Sequence, residues 1–129
     1  GSSMIVFFKR AKNISPCMIL IQTKSNCIGA VLVNSIQPEY NRKFYGSPLT
    51  TIFELANMNS YTYSRKNDYF LSVTRDSVQI GSGKTGSAIY FEDGFQDVVS
   101  DECETFNSPP LLSSKREEIV NVELYKLSP

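Results

Sequence analysis

The chain has 129 residues, enough for one domain with its own core, and 41% apolar content with seven Tyr and eight Phe is a globular composition. Thirteen basic residues balance thirteen acidic ones, which argues against a general nucleic-acid binder. No apolar run approaches the roughly 20 residues a membrane helix needs, no secretory signal is visible, and the absence of histidine leaves no Ser-His or Cys-His nucleophile pair.

In "MIVFFKRAK", residues 4–12, Met4, Phe7, Phe8 and Ala11 fall at i, i+3, i+4 and i+7, which is one face of a helix. Ser2 or Ser3 caps its start, Asn13 ends it and Pro16 prevents continuation. Lys9, Arg10 and Lys12 sit near the end where the helix dipole favours cations, and read as a solvated helix end.

"CMILIQ" (17–22) and "IGAVLV" (28–33) are continuous apolar runs, the pattern of strands covered on both faces, with Lys24, Ser25 and Asn26 as the turn between them. Such a hairpin holds Cys17 and Cys27 on the order of 20 Å apart at ~3.3 Å per residue. A disulfide spans about 7 Å between Cα atoms. An odd set of three cysteines (Cys17, Cys27, Cys103) therefore reads as reduced thiols in a cytoplasmic protein, with no zinc site.

Residues 35–48, with Pro38, Gly46 and Pro48, read as a long loop. Strands are expected at 49–55, 60–64, 68–73, 78–80 and 87–92, with a turn at Asp76-Ser77 and a short helical turn around Glu92–Gln96. In "EIVNVELYKL" (118–127), Val120, Val122 and Leu124 alternate with Asn121, Glu123 and Tyr125, a half-buried strand. The expected fold class is mostly β (α+β by strict count): an antiparallel two-sheet β-sandwich with an N-terminal helix and short helical turns. No repeat or linker divides the chain, so residues 1–129 form a single domain.

"IGSGKTGSAIYF" (80–91) invites a nucleotide-binding reading. A phosphate loop needs glycine at position 78 and a helix after Lys84-Thr85. Position 78 is Val78, and Ser87–Phe91 reads as a strand. The stretch is a glycine-rich connection in which Gly81, Gly83 and Gly86 tolerate positive φ.

From Lys66 onward, "KNDYFLSVTRDSVQIGSGKTGSAIYFEDGF", "CETFNSPPLLS" and "VNVELYKL" resemble the TLDc domain of oxidation-resistance proteins. Upstream, "CIGAVLVNSI" and "FYGSPLTTIFEL" resemble that family's Phe-Gly-Ala-Phe strand and Phe-Tyr-Gly segment. The order and spacing of these motifs carry the resemblance. Two departures stand out. Ser47-Pro48 follows Gly46 where the family has a Gly-Glu pair, and the family's opening Trp-bearing and His-Gly-x-Ser segments have no counterpart. The front of the domain therefore reads as missing, with residues 1–3 either native or a cloning remnant. An uncovered core face favours self-association or a partner segment.

The resemblance implies a non-catalytic protein-interaction domain that protects against oxidative stress and engages the vacuolar proton-pumping ATPase, without a cofactor or metal. Charge pattern and resemblance together select an interaction surface. It comprises Gly81, Gly83, Lys84 and Gly86 of the glycine loop, and Cys103, Phe106 and Asn107 of the Cys-x-Thr-Phe element. Glu92, Asp93, Asp97, Asp101, Glu102 and Glu104 complete it, six acids with no Lys or Arg among them. Read alone, that acidic run is a docking patch for a basic partner, a weak divalent-cation site or a solvated loop. Cys103 is either a redox-reactive thiol or a structural cysteine, and its acidic neighbours disfavour the thiolate. Asn67-Asp68 reads as turn chemistry. Glu54 with Glu123 is the carboxylate pair a hydrolase needs if held about 5–9 Å apart.

Overall fold

Helix α1 (Met4–Ala11) forms on the expected face: Met4, Phe8 and Ala11 are buried and Phe7 packs partly against them. Ser3 is the N-cap, its Oγ accepting from Ile5 N–H at 3.1 Å, and Lys12 is the C-cap, one residue ahead of Asn13. The computed structural model describes residues 3–38 and 43–128. Ser2, the other candidate cap, Gly1 of the opening tripeptide and residues 39–42 of the expected loop lie outside them.

Nine strands follow: β1 (Cys17–Thr23), β2 (Cys27–Leu32), β3 (Thr51–Glu54), β4 (Asn59–Tyr61), β5 (Leu71–Val73), β6 (Ser77–Ile80), β7 (Ile89–Glu92), β8 (Asp97–Val99) and β9 (Arg116–Lys126). The fold is mostly β and antiparallel, as expected. The strands form one hydrogen-bonded sheet in the order β4-β3-β2-β1-β9-β8-β7-β6-β5. The anticipated two sheets are the two halves of this one, joined through β9, whose first residues pair with β8 and whose remainder pairs with β1. Both halves feed one buried core, with Ile19, Ile21, Ile28 and Ile52 from one side and Val78, Ile80, Ile89 and Phe91 from the other.

The hairpin β1–β2 has the expected register, with Cys17 opposite Leu32 and Cys27 opposite Gln22, so the two cysteines stand at opposite ends and all three thiols are free. At Gly29 a Cβ would lie 2.2 Å from the Ile19 carbonyl oxygen and 2.7 Å from the Phe53 ring. Glycine is required there by close approach of the neighbouring strand, and Phe53 fills the space above it. β3 is shorter than the expected 49–55 because Ser47–Thr50 is a turn: the Thr50 N–H and Oγ1 both donate to the Ser47 carbonyl, at 3.0 and 2.7 Å. Tyr45, within the expected loop, bridges to Leu71 and donates its hydroxyl to the Ser35 carbonyl at 2.8 Å.

Two local expectations need correction. The helical turn around Glu92–Gln96 is a reversal between β7 and β8, where Gly94 (φ 93°) and Phe95 (φ 53°) are consecutive left-handed residues that cannot propagate a right-handed helix. In β9, Val120 does not share a face with Val122. Thr23 pairs with Ile119 and Gln22 with Asn121, so Val120 is the extra residue of a β-bulge and turns outward, while Ile119 and Val122 both face the core.

Candidate functional site

The glycine loop and the Cys-x-Thr-Phe element, 20 residues apart in sequence, are joined face to face. Added Cβ atoms show how closely. At Gly81 a Cβ would meet Cys103 Sγ at 2.6 Å and the Phe106 ring at 2.8 Å; at Gly83, Glu104 at 2.9 Å; at Gly86, the Asp101 carboxylate at 2.4 Å. Gly81 adopts φ 75°, so its missing side chain answers both a backbone and a packing requirement.

Polar groups complete the seam. Glu104 Oε1 accepts the Lys84 N–H at 2.7 Å. Thr105 Oγ1 accepts the Ser82 N–H at 3.0 Å and donates to Asn67 Oδ1 at 2.7 Å. Asn67 Nδ2 donates to the Ser82 carbonyl at 3.1 Å, and Asn67 Oδ1 also accepts the Tyr69 N–H at 3.0 Å. The turn expected at Asn67-Asp68 is thus present, and Asn67 in addition clamps the loop to Thr105. Asp68 accepts from the Tyr63 hydroxyl, a bond that raises the Tyr63 pKa, helped by burial and by the Asp68 charge. Ser64 extends the seam by donating its hydroxyl to the Glu104 carbonyl at 2.6 Å.

The candidate residues divide by exposure. Gly81, Cys103 and Phe106 are buried and support the surface from beneath; Gly83, Gly86, Asp97, Asp101 and Glu104 are half-buried; Lys84, Glu92, Asp93, Glu102 and Asn107 reach solvent. A cleft of about 330 Å³ opens beside the seam, between Lys66, Thr85, Glu102, Asn107 and the Pro109-Pro110 pair. Lys66 Nζ donates to Asn107 Oδ1 across it at 2.8 Å. The buried Ser108 hydroxyl lines the same cleft and has no hydrogen-bond partner among the described residues.

The acidic side chains of the 92–104 run have different partners. Asp93 Oδ1 accepts the Met4 N–H at 2.7 Å, which commits it to the first turn of α1. Asp97 lies 3.5 Å from Arg116 and Asp101 3.8 Å from Lys115, so β9 and the residue before it return two cations to a segment without any. Nothing local in the sequence signals that return, because sheet order creates it. The divalent-cation reading finds no three acidic or thiol groups converging among the described residues.

The carboxylate pairing is not made. Glu54 is opposite Ile28 on the core face, where its carboxylate accepts the Asn57 and Asn59 N–H groups at 3.0 and 3.2 Å. Glu123, opposite Leu20, points to the outer face and accepts from the Tyr125 hydroxyl. Opposite faces and three strand spacings, ~14 Å at about 4.8 Å each, separate the two carboxylates. The thiols are likewise poorly placed for redox work. Burial pushes Cys17 up to about 11. Burial, then the Glu123 charge, raises Cys27. Cys103 is buried with its Sγ aimed at the Ser82 carbonyl, 3.8 Å away.

Among the described residues no helix is long and apolar enough to cross a membrane. Of curated proteins, the "GTPase-activating protein skywalker" of Drosophila melanogaster is similar at 26% identity over 143 aligned residues, covering 97% of this chain. The match takes in 24% of that relative, so the chain spans about a quarter of its length. The TLDc domain family model matches residues 1–128, the whole of the sheet, the glycine loop and the seam just described, and the chain belongs to that family.

Proposed function

We propose that this chain is a non-catalytic, cytoplasmic docking module that binds a subunit of the vacuolar proton-pumping ATPase and thereby contributes to oxidative-stress resistance. The observation that carries the reading is the seam. Three glycines and the Thr105–Asn67 clamp lock residues 81–86 and 101–107 into one surface, fixed before any partner arrives. A fixed surface lowers the ordering cost of association, which is what a docking module requires. Lys84, Glu102 and Asn107 present mixed charge and amide groups on it, beside the Pro109-Pro110 cleft.

Regulation follows from differential affinity alone. A module that binds one assembly state of the pump about tenfold more tightly shifts the assembly equilibrium by at most that factor. The activity in the relative's printed name stays with the relative, since this chain matches a quarter of it.

The test measures binding of purified pump subunits to the chain and to a Lys84→Glu/Glu102→Lys double variant. Both substituted residues are exposed, so the variant keeps the fold. Loss of about tenfold or more in affinity is expected. Equal binding removes this surface from the account. Binding to no subunit removes the pump.

A further inference from the structure

Glu54 is a buried acid without a cation beside it. It ends β3 at 6% exposure. One carboxylate oxygen accepts the Asn57 N–H at 3.0 Å and the other the Asn59 N–H at 3.2 Å. Both donors are neutral backbone amides at the turn from β3 into β4. No lysine or arginine among the described residues lies within ion-pair distance of it. A carboxylate offers about four lone-pair positions, so two bonds leave acceptor capacity open. Burying a carboxylate is costly unless an opposite charge accompanies it.

Glu54 lines a cleft of about 280 Å³ between the β3–β4 hairpin and residues 109–113. Tyr61, Pro109 and Pro110 supply apolar wall, and Asn57 and Asn59 line the same cleft. The wall opposite the hairpin is built in advance. Leu111 N–H donates to Ser100 Oγ at 2.8 Å, and Asn26 Nδ2 donates to Ser113 Oγ at 3.1 Å, which pins the segment on either side of Leu112. No residue of α1 or of β9 lines this cleft. A divalent metal ion needs several oxygen ligands, and no three acidic or thiol groups converge among the described residues. The charge that fits is therefore an organic cation.

The geometry points to a guanidinium site: the cleft between the β3–β4 hairpin and residues 109–113 takes an arginine side chain of a partner protein, its head on Glu54 and its methylenes against Tyr61, Pro109 and Pro110. The planar guanidinium fork matches a carboxylate, and its weak hydration lowers the cost of entering a partly desolvated cleft. Ammonium is a strongly hydrated point charge and loses more on entry. The side-chain carbonyls of Asn57 and Asn59 are acceptors for the N–H groups left over. A single ion pair supplies little affinity by itself, so the arginine arrives as the anchor of a larger contact, a role in which arginine is enriched. Glu54 is not part of the glycine-loop surface, so failure at either site leaves the other standing.

The test follows the backbone amides of Asn57 and Asn59 by NMR in the isotope-labelled whole chain, because both donate to the Glu54 carboxylate. The probe is N-acetyl-arginine amide, with N-acetyl-citrulline amide as its neutral isostere and N-acetyl-lysine amide as the ammonium counterpart. Expected is a saturable shift of both amides with the arginine probe, binding about tenfold or more weaker for citrulline, and weaker binding for lysine. Glu54→Gln should erase the preference for arginine over citrulline. The comparison of the three probes on the parent chain decides the matter even if that variant does not fold. Absence of a saturable shift, citrulline binding as tightly as arginine, or lysine binding as tightly overturns the inference. So does a dimer in analytical ultracentrifugation that Glu54→Gln dissolves, because the occupant is then a second copy.

Discussion

The glycine loop and the outer half of β9 treat backbone polarity in opposite ways. In the loop, the Ser82 N–H and C=O and the Lys84 N–H are each answered inside the molecule, by Thr105, Asn67 and Glu104. Along β9, the outward groups of Val122, Leu124 and Lys126 meet no described partner. The seam leaves a partner shape and charge, whereas the outer half of β9 keeps backbone groups that no described residue answers. The contrast extends to side chains. Ile21 and Val122 are cross-strand partners on one face, yet only Ile21 is fully buried. Ile21→Ala should therefore destabilise by about 3–4 kcal/mol and Val122→Ala by roughly 1 kcal/mol in urea denaturation. Equal losses would mean that the β9 edge is covered after all.

Two glycines sharpen the comparison on the seam side. Gly81 and Gly94 both adopt positive φ, at 75° and 93°. A Cβ at Gly81 strikes Cys103 and Phe106, whereas one at Gly94 meets nothing within 4 Å. Alanine at Gly94 should cost only the left-handed penalty, about 1 kcal/mol. Alanine at Gly81 adds overpacking, for about 3 kcal/mol in all, read as a lower urea midpoint at unchanged slope. If the two variants match, the loop is not held against the 103–106 element. Removing the clamp instead of crowding it should have a smaller effect. Thr105→Val keeps the shape but orphans the Ser82 N–H, for about 2 kcal/mol. Hydrogen exchange at Ser82 should accelerate by more than the global loss of stability explains.

Much of this contrast was legible in the sequence, and what was not has a common cause. Helix α1, the β1–β2 hairpin and the absence of a phosphate loop follow from local spacing, because each is decided by residues within a few positions of one another. The mostly-β class follows from run lengths in the same way. β8 was missed because "DVV" is three residues long, too short for any period to register. The bulge was missed because Val120, Val122 and Leu124 alternate perfectly, and only pairing with β1 shows that one residue is extra. The Arg116 and Lys115 partners of Asp97 and Asp101 arise from strand order, which no local window contains. Sequence also brought the glycine loop and the 103–107 element forward together as a surface, yet gave no sign that Asn67 and Thr105 bind them into one.

The junction between the two halves of the sheet provides the smallest and most specific test. Glu117 sits in β9 next to the changeover from β8 to β1, and its carboxylate gathers Thr23 Oγ1 at 2.7 Å, Asn26 Nδ2 at 2.8 Å and Ser114 N–H at 3.0 Å. Burial alone raises its pKa, but hydrogen bonds from Thr23, Asn26 and the 113–114 backbone together outweigh burial and hold the carboxyl below the ordinary glutamate value of 4.5. A depressed folded pKa means that the unfolded chain takes up this proton first as pH falls. The stabilisation is therefore complete above the ordinary value and disappears as pH drops through the folded one. Glu117→Gln should lower stability slightly at pH 7, and the gap from the parent chain should close on acidification below about 4.5. Urea denaturation at stepped pH reads that gap. A gap of constant size across the acid range would show that the carboxylate's charge does not hold the β1–β2 turn to β9, and the join between the halves would then rest on backbone pairing alone.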